Sequence, residues 1–257
     1  MKIFSGPLLL IFLSIFFLSG CNGKKTPKKD IQTATDTVTV PDTGYTGIKQ
    51  YMSNKVLVKE VTFKNGVREG LMKSYYPTGQ LRQTFWYKNG LREDSAKWYF
   101  LEGQVFRSTP YVHDTIDGIQ RQYYRTGKLK ARLGYKKGFR TPYLEEFTMD
   151  GKLVTGYPQL VVNMQDDYKS KGIYKITLTL SDKSAKVNFF LGDFSNGVFD
   201  TTRCKKINTI KGTGNIILKK TGSPKKDFIG VIAELLTNFG NNCLQYKKID
   251  LPYNDLN

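Results

Sequence analysis

Four glycines stand 24 residues apart, Gly79, Gly103, Gly127 and Gly151, and no other feature of the chain restricts its fold as tightly. Leu81, Val105, Leu129 and Leu153 keep the same step, as do Phe63, Tyr87, Tyr111 and Tyr135. Tyr75, Tyr99, Tyr123 and Phe147 make a fourth column, and Gly66, Gly90, Asp114 and Gly138 a fifth. Five columns in one register, with no insertion, define a repeat array over residues 51–157. In such an array each unit is one supersecondary element that buries its apolar face against its neighbours.

The physics of one unit is readable. An aromatic strand, Leu71 to Tyr76, runs into Pro77-Thr78-Gly79, where glycine supplies the positive φ of a tight turn. The next strand, Gln80 to Lys88, alternates, with Leu81, Phe85 and Tyr87 on one face and Arg82 and Thr84 on the other. It stops at Asn89-Gly90, a two-residue hairpin signal. Asp114 replaces glycine in that column and also accepts left-handed geometry. Each unit is therefore expected to be a β-hairpin. Successive hairpins should pair into one elongated antiparallel sheet of about nine strands, roughly 40 Å across at ~4.8 Å per strand.

The stretches REGLMKSYYPTGQLRQTFWYKNG, KWYFLEGQVFRSTPYV, GIQRQYYRTGKLKARLGYKKG and EEFTMDGKL resemble the bacterial MORN-variant repeats of YwqK-type antitoxin-like proteins. The resemblance implies protein–protein interaction, with a toxin as a partner to be neutralised, and no catalysis. Asp94 and Pro142 depart from the glycine that precedes the strand in that pattern, so the last unit is expected to be a degenerate cap.

Upstream of the array, Lys2 precedes an apolar run from Ile3 to Leu18. At sixteen residues, with Gly6 and Pro7 inside it, the run is short for a membrane span and suits a secretory signal peptide over residues 1–21. Leu18-Ser19-Gly20-Cys21 resembles the lipobox of bacterial lipoproteins. By that resemblance Cys21 receives a lipid on its thiol and becomes the mature N-terminus. The chain is then expected in the cell envelope, held to the outer membrane and facing the periplasm. Residues 22–50, rich in Lys, Thr, Asp and Pro, read as a flexible tether.

After Pro158 the 24-residue step ends. Short apolar or alternating runs separated by Ser195-Asn196-Gly197 and Gly222-Ser223-Pro224 suggest a β-sandwich of immunoglobulin-like type over residues 158–257. The run Phe228 to Leu236 (FIGVIAELL) also suits a helical turn. Cys204 and Cys243 remain once Cys21 is set aside, as a disulfide of an exported protein or as two buried thiols. The fold class expected throughout is all-β.

Forty basic side chains against twenty-two acidic ones give a net charge of +18. The excess is spread along the chain and accompanies no nucleic-acid motif, so DNA and RNA are not expected partners. His113, the single histidine, falls in the column Asn65, Asn89, His113, Lys137 and reads as a turn residue rather than a general base. Nucleophile elbows, phosphate loops and zinc motifs are lacking, and catalytic, cofactor and metal sites are not expected. The chemistry points instead to a face. Lys73, Lys97 and Arg121 lie two residues before Tyr75, Tyr99 and Tyr123, so period 2 sets both columns on one side of the sheet. The reading is a membrane-anchored, non-catalytic interaction lipoprotein of the immunity type, the alternative being an envelope glycan-binding or envelope-assembly protein.

Overall fold

A computed structural model describes residues 44–224 and 226–257; Cys21, the expected signal peptide and the expected tether up to residue 43 lie outside the described residues. The fold is all-β. The repeats supply β1 (Gly47–Ser53), β2 (Val56–Lys64), β3 (Val67–Tyr75), β4 (Leu81–Lys88) and β5 (Leu91–Tyr99). β6 (Val105–Val112), a short β7 (Thr115–Ile116), β8 (Gly118–Tyr123), β9 (Leu129–Lys136) and β10 (Phe139–Glu146) follow. They form one ten-stranded antiparallel sheet in chain order, with β7 off the path against β6. Residues 47–50, grouped with the tether by composition, are the first half of β1.

The expected turns are present. Asn65-Gly66, Asn89-Gly90, His113-Asp114 and Lys137-Gly138 all have consecutive positive φ, the pattern that matches strand twist in two-residue hairpins. At the opposite edge Gly79, Gly103, Gly127 and Gly151 have φ between +81° and +94°. Each turn is bonded to the neighbouring hairpin. The amides of Gly90, Asp114 and Gly138 donate to the carbonyls of Arg68, Arg92 and Ile116 at 2.9, 3.0 and 2.8 Å. Across the sheet, the Tyr76 and Tyr124 hydroxyls donate to the Tyr99 and Phe147 carbonyls, both at 2.7 Å.

Two bulges per unit modify the simple alternation. Pairing skips Arg82 between Tyr75↔Leu81 and Ser74↔Gln83. Leu81 therefore faces the side of Tyr75, whereas Phe85, opposite Met72, faces the other, which corrects the single-face assignment of Leu81 with Phe85 and Tyr87. The second bulge falls where Gly70 and Asp94 have φ of +85° and +60°. Proline cannot adopt that conformation, and at Pro142 the pairing jumps from Arg140↔Tyr135 to Leu144↔Leu133.

The sheet has unequal faces. On the inner face Val61, Met72, Ser74, Tyr87, Ala96, Thr109, Tyr111, Gln120, Ala131 and Leu133 are buried. Arginines roof that face, with Arg68 over Tyr87 at 5.4 Å, Arg92 over Tyr111 at 4.5 Å and Arg107 over Trp98 at 4.1 Å. A single layer thus covers its own rings with the apolar stems of cations.

The remaining strands are β11 (Leu160–Asp167), β12 (Ile173–Leu180), β13 (Val187–Leu191), β14 (Lys205–Ile207), β15 (Thr209–Ile210), β16 (Thr213–Lys219), β17 (Phe228–Leu236) and β18 (Asn242–Asp250). Two four-stranded sheets, β11-β12-β16-β15 and β14-β13-β17-β18, enclose Ile176, Leu178, Phe189, Val231 and Ile249. Lettered in chain order, these are the A-B-E-D and C′-C-F-G sheets of an immunoglobulin-type sandwich. Phe228 to Leu236 is strand β17, not a helical turn, because it is paired on both sides. Cys243 lies in the core between the sheets, whereas Cys204 packs with Phe190, Phe199, Ile232 and Leu244 beyond the second sheet. The two thiols are free, and no disulfide joins them.

The sandwich docks on the inner side of the last repeat strands. Glu146, fully buried, accepts hydrogen bonds from Thr237 Oγ1 at 2.8 Å, Asn241 Nδ2 at 2.6 Å and the Tyr157 hydroxyl at 3.0 Å. Gln122 Nε2 donates to Asn241 Oδ1 at 2.8 Å, and Phe199 bridges to Arg140 through backbone. The β17–β18 turn is thereby fixed against one face of the array, and the opposite face of the repeats stays open.

Candidate binding face

The open face is built by register. Reading across the sheet, the directly opposed residues are Gln50, Glu60, Lys73, Thr84, Lys97, Ser108, Arg121, Arg132 and Glu145, one from each strand from β1 to β10 apart from β7. The 24-residue step places cations on alternate strands at 73, 97 and 121, with the hydroxyls of Thr84 and Ser108 between them, and Arg132, the next member of that second column, just beyond Arg121. Tyr75, Tyr99 and Tyr123 form a parallel row two residues along the strands, so all six expected residues share one face.

Carboxylates stand only at the two ends of the row. Tyr75 donates to Glu60 Oε2 at 2.5 Å and Gln50 Nε2 to Glu60 Oε1 at 2.9 Å. Those bonds hold the Glu60 carboxyl below its ordinary value. Burial, then the adjoining carboxylate, pushes the Tyr75 hydroxyl up to about 12. At the far end Arg132 pairs with Glu145 at 3.0 Å, and hydrogen bonds from Tyr143 and Arg132 lower the Glu145 carboxyl. Between the ends, Lys97 and Arg121 are exposed and make no ion pair among the described residues. Trp86, 49% exposed, lies opposite Leu71 on the same face. It borders a depression of about 710 Å³ that also touches Leu91, Glu93 and His113.

His113 is where the repeat predicts it, in a turn with φ +47° and its Nε2 3.4 Å from Glu93 Oε1. Among the described residues no cluster of His, Cys, Asp and Glu could hold a metal ion. Asp114 accepts from the Arg92 amide at 2.9 Å and from Arg92 Nε at 2.7 Å. Burial pushes its carboxyl up, but the Arg92 bonds outweigh that and leave it below its ordinary value.

Sequence reasoning missed three groups here. Glu69, Glu93 and Asp117 form an acidic column whose carboxylates accept the amides of Asn89, His113 and Lys137 at 2.7, 3.3 and 3.3 Å. Their spacing of 24 was a usable signal. So was that of Thr84, Ser108 and Arg132. Glu146 had no such signal, because its donors lie up to 95 residues away.

Two stretches, residues 68–89 and 116–137, match the family model of the MORN repeat variant. Their starts are 48 residues apart, two steps of the repeat, and the unmatched unit between them carries Asp94, His113 and Asp114. Repeats of this kind point to interaction with a protein or a membrane. No curated protein matches the chain.

Proposed function

We propose that this chain is a lipid-anchored, non-catalytic binding protein of the cell envelope, whose working surface is the outer face of the repeat sheet. The observation that carries the reading is the cation row: three basic side chains on alternate strands of a rigid sheet, with acids only at its ends. Exposed cations steer an acidic partner into place, and neighbouring rings supply contact area. The inner face is spent on packing and on the sandwich, which leaves the outer face for a ligand. A protein partner, such as the toxin implied by the resemblance to antitoxin-like proteins, is the second reading. Trp86 beside Leu71 favours it, since an exposed aromatic on a rigid strand is a common anchor for a protein surface.

Residues 41–257 form one compact unit, so the test uses the chain freed of its leader. The variant Lys73→Glu/Lys97→Glu/Arg121→Glu should keep the wild-type circular dichroism and lose retention on isolated cell envelopes. Undiminished retention would remove the outer face from consideration. The anchor is tested separately, in the intact chain. Mass spectrometry of the mature protein should find a diacylglyceryl group on Cys21, and a mature protein that starts at any other residue would refute it.

A further inference from the structure

We infer that the ligand of the outer face is a linear acidic glycan with one carboxylate in every second sugar, lying across the strands along the cation row. This rests on the reading above that the outer face binds. Lys73, Lys97 and Arg121 are separated by two strand spacings each, so their anchor points recur at about 10 Å, close to the length of a disaccharide. Between them stand hydroxyls, Thr84 and Ser108, rather than charges. That alternation of cation and hydroxyl suits a polymer that alternates an acidic sugar with a neutral, hydroxyl-rich one.

The tyrosine row runs parallel, displaced by two residues or about 7 Å, roughly the width of a pyranose ring. Its rings offer apolar surface to sugar C–H groups while the phenol tips remain polar. Tyr75 is tied to Glu60, so Tyr99 and Tyr123 carry this contact. Glu60 and the Arg132–Glu145 pair end the track. Four strand spacings from Lys73 to Arg121 give about 19 Å, room for two disaccharides. A folded acidic protein would match this interval only with acids on alternate strands of a sheet, whereas the polymer repeats it by its covalent structure. The apolar pair Leu71 and Trp86, which a protein interface would want at its centre, sits towards one end of the track.

The experiment measures binding of the leaderless chain at fixed ionic strength to three polymers. The probes are hyaluronan, with a carboxylate on alternate sugars, polygalacturonate, with one on every sugar, and neutral dextran. Hyaluronan should bind most tightly per carboxylate and dextran should not bind. Lys73→Glu/Lys97→Glu/Arg121→Glu should weaken hyaluronan binding by about tenfold or more, and Tyr99→Ala/Tyr123→Ala severalfold without changing the salt dependence. Lys205→Glu/Lys206→Glu/Lys247→Glu, the same charge change on exposed positions of the sandwich, should leave binding intact. The milder pair Lys97→Gln/Arg121→Gln should repeat the effect if the triple reversal fails to fold. Equal affinity for both acidic polymers, equal loss in both triple variants, or no hyaluronan binding would each overturn the inference. Should hyaluronan fail while envelope retention still depends on the row and is destroyed by protease pretreatment of the envelopes, the ligand is a protein. The glycan assignment falls in that case and the binding face stands.

Discussion

Gly103 shows how a single residue carries the repeat. A Cβ there would meet nothing within 4 Å, yet the backbone has φ +94°, where an L side chain is strained. The cost is therefore conformational rather than steric, on the order of 1 kcal/mol or more, and greater for a β-branched residue. Gly103→Val should lower the melting temperature by about 2–4 °C, read by calorimetry. Lys97→Ala, which removes an exposed side chain that makes no ion pair among the described residues, should shift it by less than about 1 °C. The glycine, Asn and Asp114 positions were legible because turn chemistry is local and each residue type names its own φ. The acidic column was not, although its spacing is just as regular. A carboxylate that accepts a backbone amide 20 residues onward has no local signature, and only the repeat itself relates Glu69 to Asn89.

Between neighbouring hairpins the acidic column acts as a staple. Glu69 holds the Asn89 amide, which a two-residue turn leaves without an intrahairpin partner. Glu69→Ala should speed hydrogen exchange at Asn89 by about five- to tenfold, near 1 kcal/mol, without altering exchange in β9. Unchanged exchange at Asn89 would show that water serves the amide equally well. Strands and hairpins were legible because the aromatic columns alternate. The bulges were not, so Leu81 was set on the wrong face. An extra residue in a strand changes which side every later residue points to without changing composition. Phe228 to Leu236 was ambiguous for another reason: it is buried on both faces, between the sandwich core and the Phe190 and Phe199 cluster. A strand covered on both sides loses its period of 2.

At the scale of the molecule, the array and the sandwich are coupled through Glu146. Glu146→Ala would leave the buried Thr237 and Asn241 donors and the half-buried Tyr157 hydroxyl without their acceptor, at a cost of about 3 kcal/mol in sum. Limited proteolysis should then cut within residues 154–158, a link that is protected while Tyr157 and Pro158 are held by Glu146 and Gln245. Equal protease resistance in variant and wild type would mean that the Phe199 cluster alone holds the docking. That a sandwich follows the repeats was legible from its short apolar runs. Where it docks was not, because Gln122 and Asn241 come together only after both parts have folded.

The two ends of the array are treated differently. β10 is backed by the sandwich, while β1 has a neighbour on one side only among the described residues. Every hairpin is fastened to the next by the same turn bond. Tyr76 and Tyr124 add a second bond at alternate steps, the Phe100 between them having no hydroxyl to give, so the sheet resembles a zipper with a stop at one end. Thermal motion should open it from β1 inwards, one unit at a time. Arg121 then stays seated longest and Lys73 is released first, giving the surface a firm root and a yielding tip.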